Sequence, residues 1–273
     1  MSPSPVPPAV QGAIGVILVD YRSDPDLAQA LQALAEDRSA LLLSVVVVQN
    51  CPTAAPPRVP AGLSVRFLRS EKNLGFGRAV NQARRHLQTP YFLTLNPDTW
   101  LAPDALGLLH RHMETHPDVG VVVPRLFDAV GQLQFSVRTF YDLPTLLLRR
   151  TPLGRLLPNH PRLVRHLMSD WDHADLREVD WALGACMLIR ATAVPDEIFD
   201  PRFFLYFEDV DLCLRLKRAG WKTVYHPSAT ARHAHRQESR RRFWGRAHFA
   251  HIQSGVQFVV KHKGFGASIP PFK

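Results

Sequence analysis

The chain has 273 residues and a formal charge of +9, from 33 Lys and Arg against 24 Asp and Glu. Its apolar content of 46% argues against wholesale disorder, and no run approaches the roughly 20 apolar residues of a membrane span. Three cysteines, at positions 51, 186 and 213, are too few and too far apart for a disulfide framework or a paired-cysteine metal site, which favours a reducing cytoplasm.

The first half of the chain alternates between strand and helix patterns. Residues 1–12 are Pro-rich, predict a flexible tail and lack the pattern of a secretory signal. Short apolar runs predict strands over residues 14–19, 42–48, 63–68, 91–95 and 119–123. Helical spacing predicts helices over residues 24–34, 75–87 and 103–113. This alternation predicts an α/β fold with a Rossmann-like, mostly parallel central sheet and helices on both faces.

The pattern changes near residue 130. Residues 131–178 are rich in Arg, Leu and Pro without a clear period and predict a partly helical excursion. Later patterns predict a strand over 181–190, a helix over 208–219 ended by Gly220, and a short strand over 222–225. A C-terminal helical extension is predicted in the later part of 233–263, with apolar Phe243, Phe249, Ile252, Val256 and Val259.

Polar residues follow three of the predicted strands. Asp20, Gln49-Asn50 and Asn96-Pro97-Asp98 lie at carboxyl ends, where parallel α/β sheets bind their ligands. Asn96 and Asp98 offer two oxygen ligands to a hard cation such as Mg²⁺ or Mn²⁺. The alternative is that Asn-Pro-Asp only makes a turn and caps the next helix.

Acidic and histidine residues cluster in the second half of the chain. Glu208, Asp209 and Asp211 stand at the start of a predicted helix, where acids suit the helix dipole. The alternative is that one of them serves as a general base. Three histidines follow later in the chain, His226, His233 and His235. They are either structural, or one of them supplies a metal ligand.

In their order and spacing, these motifs resemble those of family 2 inverting glycosyltransferases with the GT-A fold, in a rhamnosyltransferase-like branch. The resemblance covers roughly residues 13–263. Its segments are Val19–Arg22, Val48–Asn50, Glu71–Asn81, Leu95–Asp98, Trp181–Met187, Phe199–Cys213 and His233. Each segment is weak alone, and together in order they identify the family.

On the donor side, the resemblance implies a nucleotide-sugar whose diphosphate is held with a divalent cation, Mg²⁺ or Mn²⁺. The implied nucleotide-sugar contacts are Val19, Tyr21, Gln49, Asn50, Asn73, Arg78 and Asn96. The implied metal ligands are Asp98 and His233, with His235 as a competitor. Gln49 stands where the family usually has Asp, but its carbonyl can still accept the N3–H of uracil or thymine. Arg22 either contacts phosphate or is a solvated loop residue.

On the acceptor side, the resemblance implies that Asp209 is the catalytic base, which takes the proton of the attacking acceptor hydroxyl. Glu208 and Asp211 are expected to orient the start of the helix or to touch acceptor hydroxyls. The small residues Gly184 and Ala185 are expected to line the sugar and acceptor site. Trp181 precedes them as a further candidate on the acceptor side.

These implications predict transfer of a sugar, most simply rhamnose from dTDP-rhamnose, to a glycan or glycolipid in cell-surface polysaccharide synthesis. Residues 13–130 would bind the donor, residues 131–231 the acceptor, and residues 232–273 would form a basic helical extension. One alternative is a transferase that uses a UDP-hexose or UDP-N-acetylhexosamine. Another is a non-catalytic relative that binds nucleotide or carbohydrate, which has no need for a base at Asp209.

The charge excess lies in the second half, because residues 1–130 are neutral. Six arginines and several aromatics occupy residues 232–249. Nucleic-acid binding is disfavoured because no recognised motif accompanies them. Contact with anionic lipid headgroups or a lipid-diphosphate acceptor, and a solvated helix face, stay open. The expected location is cytoplasmic, peripheral at the inner face of the plasma membrane, and a second copy of the chain is among the partners considered.

Overall fold

The structure is a computed structural model that describes residues 10–11, 13–53, 56–150, 153–234 and 246–262. The strands are β1 Val10–Gln11, β2 Ile14–Asp20, β3 Leu43–Gln49, β4 Val65–Arg69, β5 Leu87–Gln88, β6 Tyr91–Leu95, β7 Thr99–Leu101, β8 Val119–Phe127, β9 Leu133–Gln134, β10 Val137–Arg138, β11 Arg177–Val179, β12 Trp181–Ala182, β13 Cys186–Arg190 and β14 Lys222–His233. The helices are α1 Asp24–Ala35, α2 Phe76–Arg84, α3 Ala105–Thr115, α4 Leu143–Arg150, α5 Leu153–Leu156, α6 Pro161–Leu167, α7 Glu208–Arg218 and α8 Arg246–His262, with a 3₁₀ turn at Ala191–Ala193.

One mixed sheet carries most of these strands, in the order β11-β14-β8-β13-β6-β2-β3-β4, with β7 added on β14 and β9 on β8. The strands β6, β2, β3 and β4 are parallel, and β14 is parallel to β8. Strand β13 runs antiparallel between β6 and β8, and so joins the two parallel sets. The prediction of a mostly parallel α/β sheet is confirmed, and strands from both halves of the chain share it.

The core explains why the strands are apolar at nearly every position. In β2, Ile17 packs on one face with α2 and α7, while Val16 packs on the other face with α1 and α3. Because helices cover both faces, successive side chains of a central strand are buried alternately above and below the sheet. All seven residues of β2 are accordingly buried.

Three boundaries differ from the sequence-based expectations. The predicted strand over 181–190 is divided into β12 and β13, because residues 183–185 leave the ladder to bind neighbouring loops. Strand β14 is much longer than predicted, since it pairs with β8 on both sides of a bulge between His226 and Thr230 and also pairs with β7 at its end. Leu87 was predicted as the last residue of a helix over 75–87, but it lies beyond the end of α2 and pairs in β5.

The apolar helices in the described part of the chain are all too short or too polar to cross a membrane. Cys51, Cys186 and Cys213 are buried free thiols, in keeping with the prediction that the chain has no disulfide framework.

Candidate functional site

Three neighbouring strands bring the predicted donor-side residues to one edge of the sheet. Strands β2 and β3 end in register at Asp20 and Gln49, and β6 ends beside them at Leu95. Asp20 is fully buried, and its Oδ1 accepts hydrogen bonds from the backbone N–H and the hydroxyl of Ser23, at 3.1 and 2.7 Å. Gln49 is also buried, whereas Tyr21 is 46% exposed at the same edge. An exposed aromatic ring beside buried polar groups is suited to cover a planar base.

Asn50 fixes the loop that precedes α2. Its Nδ2 donates to Oδ1 of Asn73 at 3.0 Å and to the carbonyl of Gly75 at 3.2 Å, and its Oδ1 accepts from the backbone N–H of Leu74 at 2.8 Å. The Oδ1 of Asn73 also accepts from the backbone N–H of Gly75 at 2.8 Å. The two asparagines therefore shape this loop directly, and any nucleotide contact would come through the loop that they hold.

Gly75 lets this loop meet the second half of the chain. Its φ is +83°, and the N–H of Phe76 next to it donates to the carbonyl of Phe204 at 2.9 Å. One helical turn later, the amide of Asn81 exchanges hydrogen bonds with the backbone of Phe199 at 2.6 and 3.1 Å. The start of α2 is thus fastened to residues 199–204, which lead directly to Glu208 and Asp209.

Gly75→Ala is expected to destabilise the fold well beyond the cost of an unfavourable φ. A Cβ at this position would lie 2.3 Å from the carbonyl oxygen of Phe204, so the backbone must move. Gly131→Ala is the matched control, because Gly131 has φ +84° and no atom within 4 Å of the added Cβ. We expect about 1 kcal/mol lost for Gly131→Ala and about 3 kcal/mol or more for Gly75→Ala, measured by urea unfolding. Equal losses would contradict a close approach at Gly75.

Arg78 lies where α2 meets residues 199–204, and Val19 lies in the core, so neither is placed among the polar groups at the edge of the sheet. Arg78 is exposed near the start of α2, and its Nε donates to the carbonyl of Pro201 at 2.6 Å. Val19 is 7% exposed and belongs to the core beneath the edge. Arg78 therefore lies where α2 meets residues 199–204, with its charge at a helix N-terminus that already favours anions.

Asn96 and Asp98 form a turn that faces β14. The backbone N–H of Asn96 donates to the carbonyl of Ala185 at 2.9 Å, and that of Thr99 donates back to the carbonyl of Asn96 at 3.0 Å. Strand β7 follows directly, so Asn-Pro-Asp makes the turn of the alternative interpretation but does not cap the next helix, which begins at Ala105. Strand β7 pairs with β14, which places His233 opposite Thr99.

Asp98 and His233 approach each other across this pairing. The distance from His233 Nε2 to Asp98 Oδ1 is 3.4 Å, and His233 Nδ1 donates to Oε1 of Gln134 at 2.9 Å. A carboxylate oxygen and an imidazole nitrogen at this spacing fit two neighbouring ligands of one octahedral cation, about 3 Å apart.

A complete metal site is not formed by side chains within the described residues, where no group of three or more His, Cys, Asp or Glu converges. Asp98 and His233 fit part of a site whose other ligands would be water and donor phosphate oxygens. His235 lies outside the described residues. His226 is not part of this group, because its ring packs edge-on against His112 on α3, at 5.5 Å between centroids.

Asp209 is held at the start of α7 by two backbone N–H groups. Its Oδ2 accepts from Gly184 at 3.1 Å, and its Oδ1 accepts from Val210 at 2.8 Å. Tyr206 and Phe207, just before the helix, both have left-handed backbone conformations, with φ of +69° and +66°. Such conformations are costly for large side chains and persist where surrounding contacts impose them, often at functional sites.

Glu208 and Asp209 have different protonation tendencies. Burial raises the pKa of Glu208 well above its usual range, and the neighbouring Asp209 carboxylate raises it further. Burial also raises the pKa of Asp209, but the N–H groups of Val210 and Gly184 and the charge of Arg138 oppose that rise. The pair therefore favours a neutral Glu208 beside an ionised Asp209, the form that a base requires.

Asp211 and Trp181 are buried in structural roles. Asp211 is fully buried, and its carboxylate accepts from Arg215 at 2.9 Å, Lys261 at 2.6 Å and His262 at 2.8 Å. Burial would raise the pKa of Asp211, but His262 and Lys261 outweigh it and hold the pKa low. Trp181 is 3% exposed, and its indole N–H donates to the carbonyl of Thr139 at 2.9 Å. For Asp211 these contacts favour the first of its two expected roles, that of fixing the start of the helix.

Gly184 and Ala185 join the two parts of the site. Gly184 donates to Asp209, and the carbonyl of Ala185 holds the Asn96 turn. A Cβ on Gly184 would lie 3.6 Å from Cβ of Asp209, an ordinary contact distance, so the link passes directly beside the carboxylate. This short link thus positions Asp209 relative to the turn that carries Asp98.

Two residues near the site, Gln134 and Arg138, were not predicted. Gln134 Oε1 lies 2.9 Å from Nδ1 of His233, and the charge of Arg138 lowers the pKa of Asp209. Arg138 also lies over the ring of Trp181, at 5.3 Å from its centroid. Both stand in the two-residue strands β9 and β10, within the stretch whose sequence has no clear period.

Comparison with known proteins gives consistent matches. The sequence pattern of glycosyl transferase family 2 matches residues 16–167. N-acetylglucosaminyl-diphospho-decaprenol L-rhamnosyltransferase of Mycobacterium tuberculosis is 31% identical over 269 residues, which cover 92% of this chain and 85% of that protein. Rhamnosyltransferase WbbL of Escherichia coli is 29% identical over 186 residues, which cover 67% of each protein.

The fold also matches a solved structure. GalNAc-T7, solved with UDP, GalNAc and Mn²⁺, superposes with a TM-score of 0.59 at 12% identity. The match covers 81% of this chain but only 43% of GalNAc-T7. At that identity the likeness establishes the GT-A fold and nothing finer.

Proposed function

Since the chain belongs to glycosyl transferase family 2, we propose that it transfers rhamnose from dTDP-rhamnose to a lipid-linked glycan acceptor. Members of that family are inverting enzymes that use nucleotide-sugars, so the chain is an inverting glycosyltransferase. Rhamnose and a lipid-linked acceptor are suggested by the mycobacterial relative, whose name contains both. A cytoplasmic location at the inner face of the plasma membrane would give access to such an acceptor.

One observation supports this proposal most strongly. Asp209 and the Asp98 turn are held by adjacent residues of one short link, Gly184 and Ala185. A displacement at the anomeric carbon needs a base on one side of the sugar and stabilisation of the leaving diphosphate on the other. The link fixes two groups of these kinds relative to each other before substrates arrive.

On the donor side, the proposed base-binding surface is the edge of the sheet at Tyr21 and Gln49. Tyr21 would cover the face of the pyrimidine, and Gln49 would accept its N3–H. Arg78 at the start of α2 would pair with phosphate oxygens. Asp98 and His233 would hold the divalent cation, which when bound supplies Lewis-acid stabilisation of the departing diphosphate.

On the acceptor side, Asp209 would accept the proton of the attacking hydroxyl. The N–H of Gly184 donates to Oδ2 and that of Val210 to Oδ1, so both oxygens of the carboxylate are held before an acceptor binds. Glu208, kept neutral by burial, would avoid a second negative charge at that point. The attacking oxygen approaches opposite the leaving diphosphate, which inverts the anomeric configuration.

A donor screen tests the choice of sugar. We expect dTDP-rhamnose to give the largest rise in melting temperature with Mn²⁺ present, and to be hydrolysed slowly without acceptor. UDP-glucose and UDP-N-acetylglucosamine are the comparison donors. A stronger response to either would reassign the chain to the UDP-sugar alternative, and binding without hydrolysis or transfer for every donor would favour the non-catalytic alternative.

A further inference from the structure

Helix α8 is attached to the catalytic segment by polar side chains and by Phe258, which is 3% exposed and packs against the ring of Phe207. Ser254 Oγ donates to the carbonyl of Leu205 at 2.9 Å, and Lys261 and His262 bind Asp211. Gly255 lies so close to Phe207 that an added Cβ would be 3.3 Å from the ring. A second side of α8 stays open to solvent.

That outward side is apolar. Ile252, Val256 and Val260 are 53%, 58% and 72% exposed, and their spacing of four residues puts them in one row. With Leu146 of α4 and the ring of Phe207, this row lines an open groove of about 400 Å³. Large apolar side chains that share a groove on a surface mark a binding site more often than scattered exposed ones.

The groove is continuous with the catalytic segment. Phe207 forms part of its lining, and Glu208 and Asp209 follow directly in the chain. The left-handed backbone at Phe207 turns its ring toward α8 while α7 begins with the carboxylates. A molecule that lies in the groove therefore ends beside the segment that presents the base.

The side of the groove formed by α4 is basic. Helix α4 ends with Arg149 and Arg150 and contains no acidic residue. Arg149 lies one helical turn after Leu146 and is half-buried. A guanidinium beside an apolar groove can pair with the oxygens of a diphosphate.

We propose that the groove between α4 and α8 binds the hydrocarbon chain of a lipid-linked acceptor, with its diphosphate at Arg149. This inference rests on the proposed function and specifies the acceptor as an amphiphile. The apolar groove, the cationic end of α4 one turn from Leu146, and the catalytic segment that begins at Phe207 offer partners for the chain, the diphosphate and the sugar of such a molecule.

The test measures binding of isoprenoid diphosphates of five, ten and fifteen carbons (dimethylallyl, geranyl and farnesyl diphosphate) by calorimetry, without nucleotide. For the wild-type chain we expect affinity to rise by about fivefold or more with each added unit, because each unit buries further methylenes. Val256→Glu should remove this dependence on chain length. Val130→Glu is the matched control, since Val130 is 78% exposed elsewhere on the surface.

Arg149→Gln separates the two parts of the site. It should weaken binding of all three probes by a similar factor of about ten and leave the dependence on chain length intact. Melting temperatures of the three variants confirm that each is folded.

Several results would overturn the proposal. One is an affinity of the wild-type chain that does not rise with the length of the probe. Another is a Val256→Glu variant whose affinity rises with probe length as in the wild type. A wild-type dimer in sedimentation that Val256→Glu abolishes would assign the groove to a second copy of the chain. Each of these results is distinguishable from failure of the proposed function, because nucleotide binding and donor hydrolysis are measured without any lipid probe.

Discussion

Asp209→Asn is expected to reduce sugar transfer by about 10²- to 10⁴-fold while leaving donor binding nearly unchanged. The asparagine keeps the shape of the side chain and one acceptor for the N–H groups that hold it, but it cannot take a proton. Transfer is measured with saturating donor and acceptor, and donor binding by calorimetry. Asp170→Asn, at an exposed position away from the site, is the control and should transfer at the wild-type rate.

The pH profile gives a second test of the same residue. A base works when ionised, and burial raises the pKa of Asp209. Wild-type transfer should therefore decline as the pH falls, with a midpoint above the ordinary aspartate value of about 3.9. Glu208→Gln should retain most of the activity, because burial keeps Glu208 neutral. Full activity of Asp209→Asn with loss in Glu208→Gln would move the base to Glu208.

Asp98→Ala is expected to weaken binding of dTDP by about tenfold or more when Mn²⁺ is present, and to have little effect without metal. The reason is that Asp98 Oδ1 lies 3.4 Å from His233 Nε2, so that the two side chains would hold the cation together. His233→Ala should behave in the same way. Asp104→Ala is the control, since Asp104 is an exposed carboxylate six residues further on.

Two outcomes would contradict this role of Asp98. If Asp98→Ala weakens dTDP equally with and without Mn²⁺, its carboxylate acts on the loop and not on a metal. If Asp98→Ala leaves the binding of dTDP unchanged both with and without Mn²⁺, the diphosphate lies elsewhere on the sheet edge.

The edge of the sheet was predictable because strand patterns determine it. Continuous apolar strands imply a sheet buried on both faces, and their carboxyl ends then meet at one edge. Asp20, Gln49 and Asn96 were placed there from the sequence, and the structure confirms their positions. The comparisons confirm the family that the order of the motifs identified.

The supporting residues were not predictable in the same way. Gln134 and Arg138 lie in two-residue strands that exist only because β8 and β12 are beside them, so no local period marks them. Asp211 lies only two residues from Asp209, and the sequence does not distinguish their roles. Only the packing of α8 shows that Lys261 and His262 bind the carboxylate of Asp211. Contacts between distant segments decide these roles, and one sequence contains no record of them.

Helix α8 shows a related limit of periodicity. The spacing of Ile252, Val256 and Val259 predicts an amphipathic helix, which is confirmed over Arg246–His262. It does not predict which side packs, and here Ser254 and Lys261 bind the domain while Ile252 and Val256 are exposed. The arginine-rich stretch, for which lipid contact and a solvated helix face were both left open, lies mostly outside the described residues.

Calorimetric titration of the wild-type chain with dTDP, with and without Mn²⁺, tests the central claim most directly. The proposed site combines a pyrimidine-binding edge at Gln49 with metal ligands at Asp98 and His233. It predicts saturable binding that tightens by about tenfold or more when Mn²⁺ is added. Failure of dTDP, and of UDP titrated in the same way, to bind under either condition would contradict a nucleotide-sugar site at this edge of the sheet.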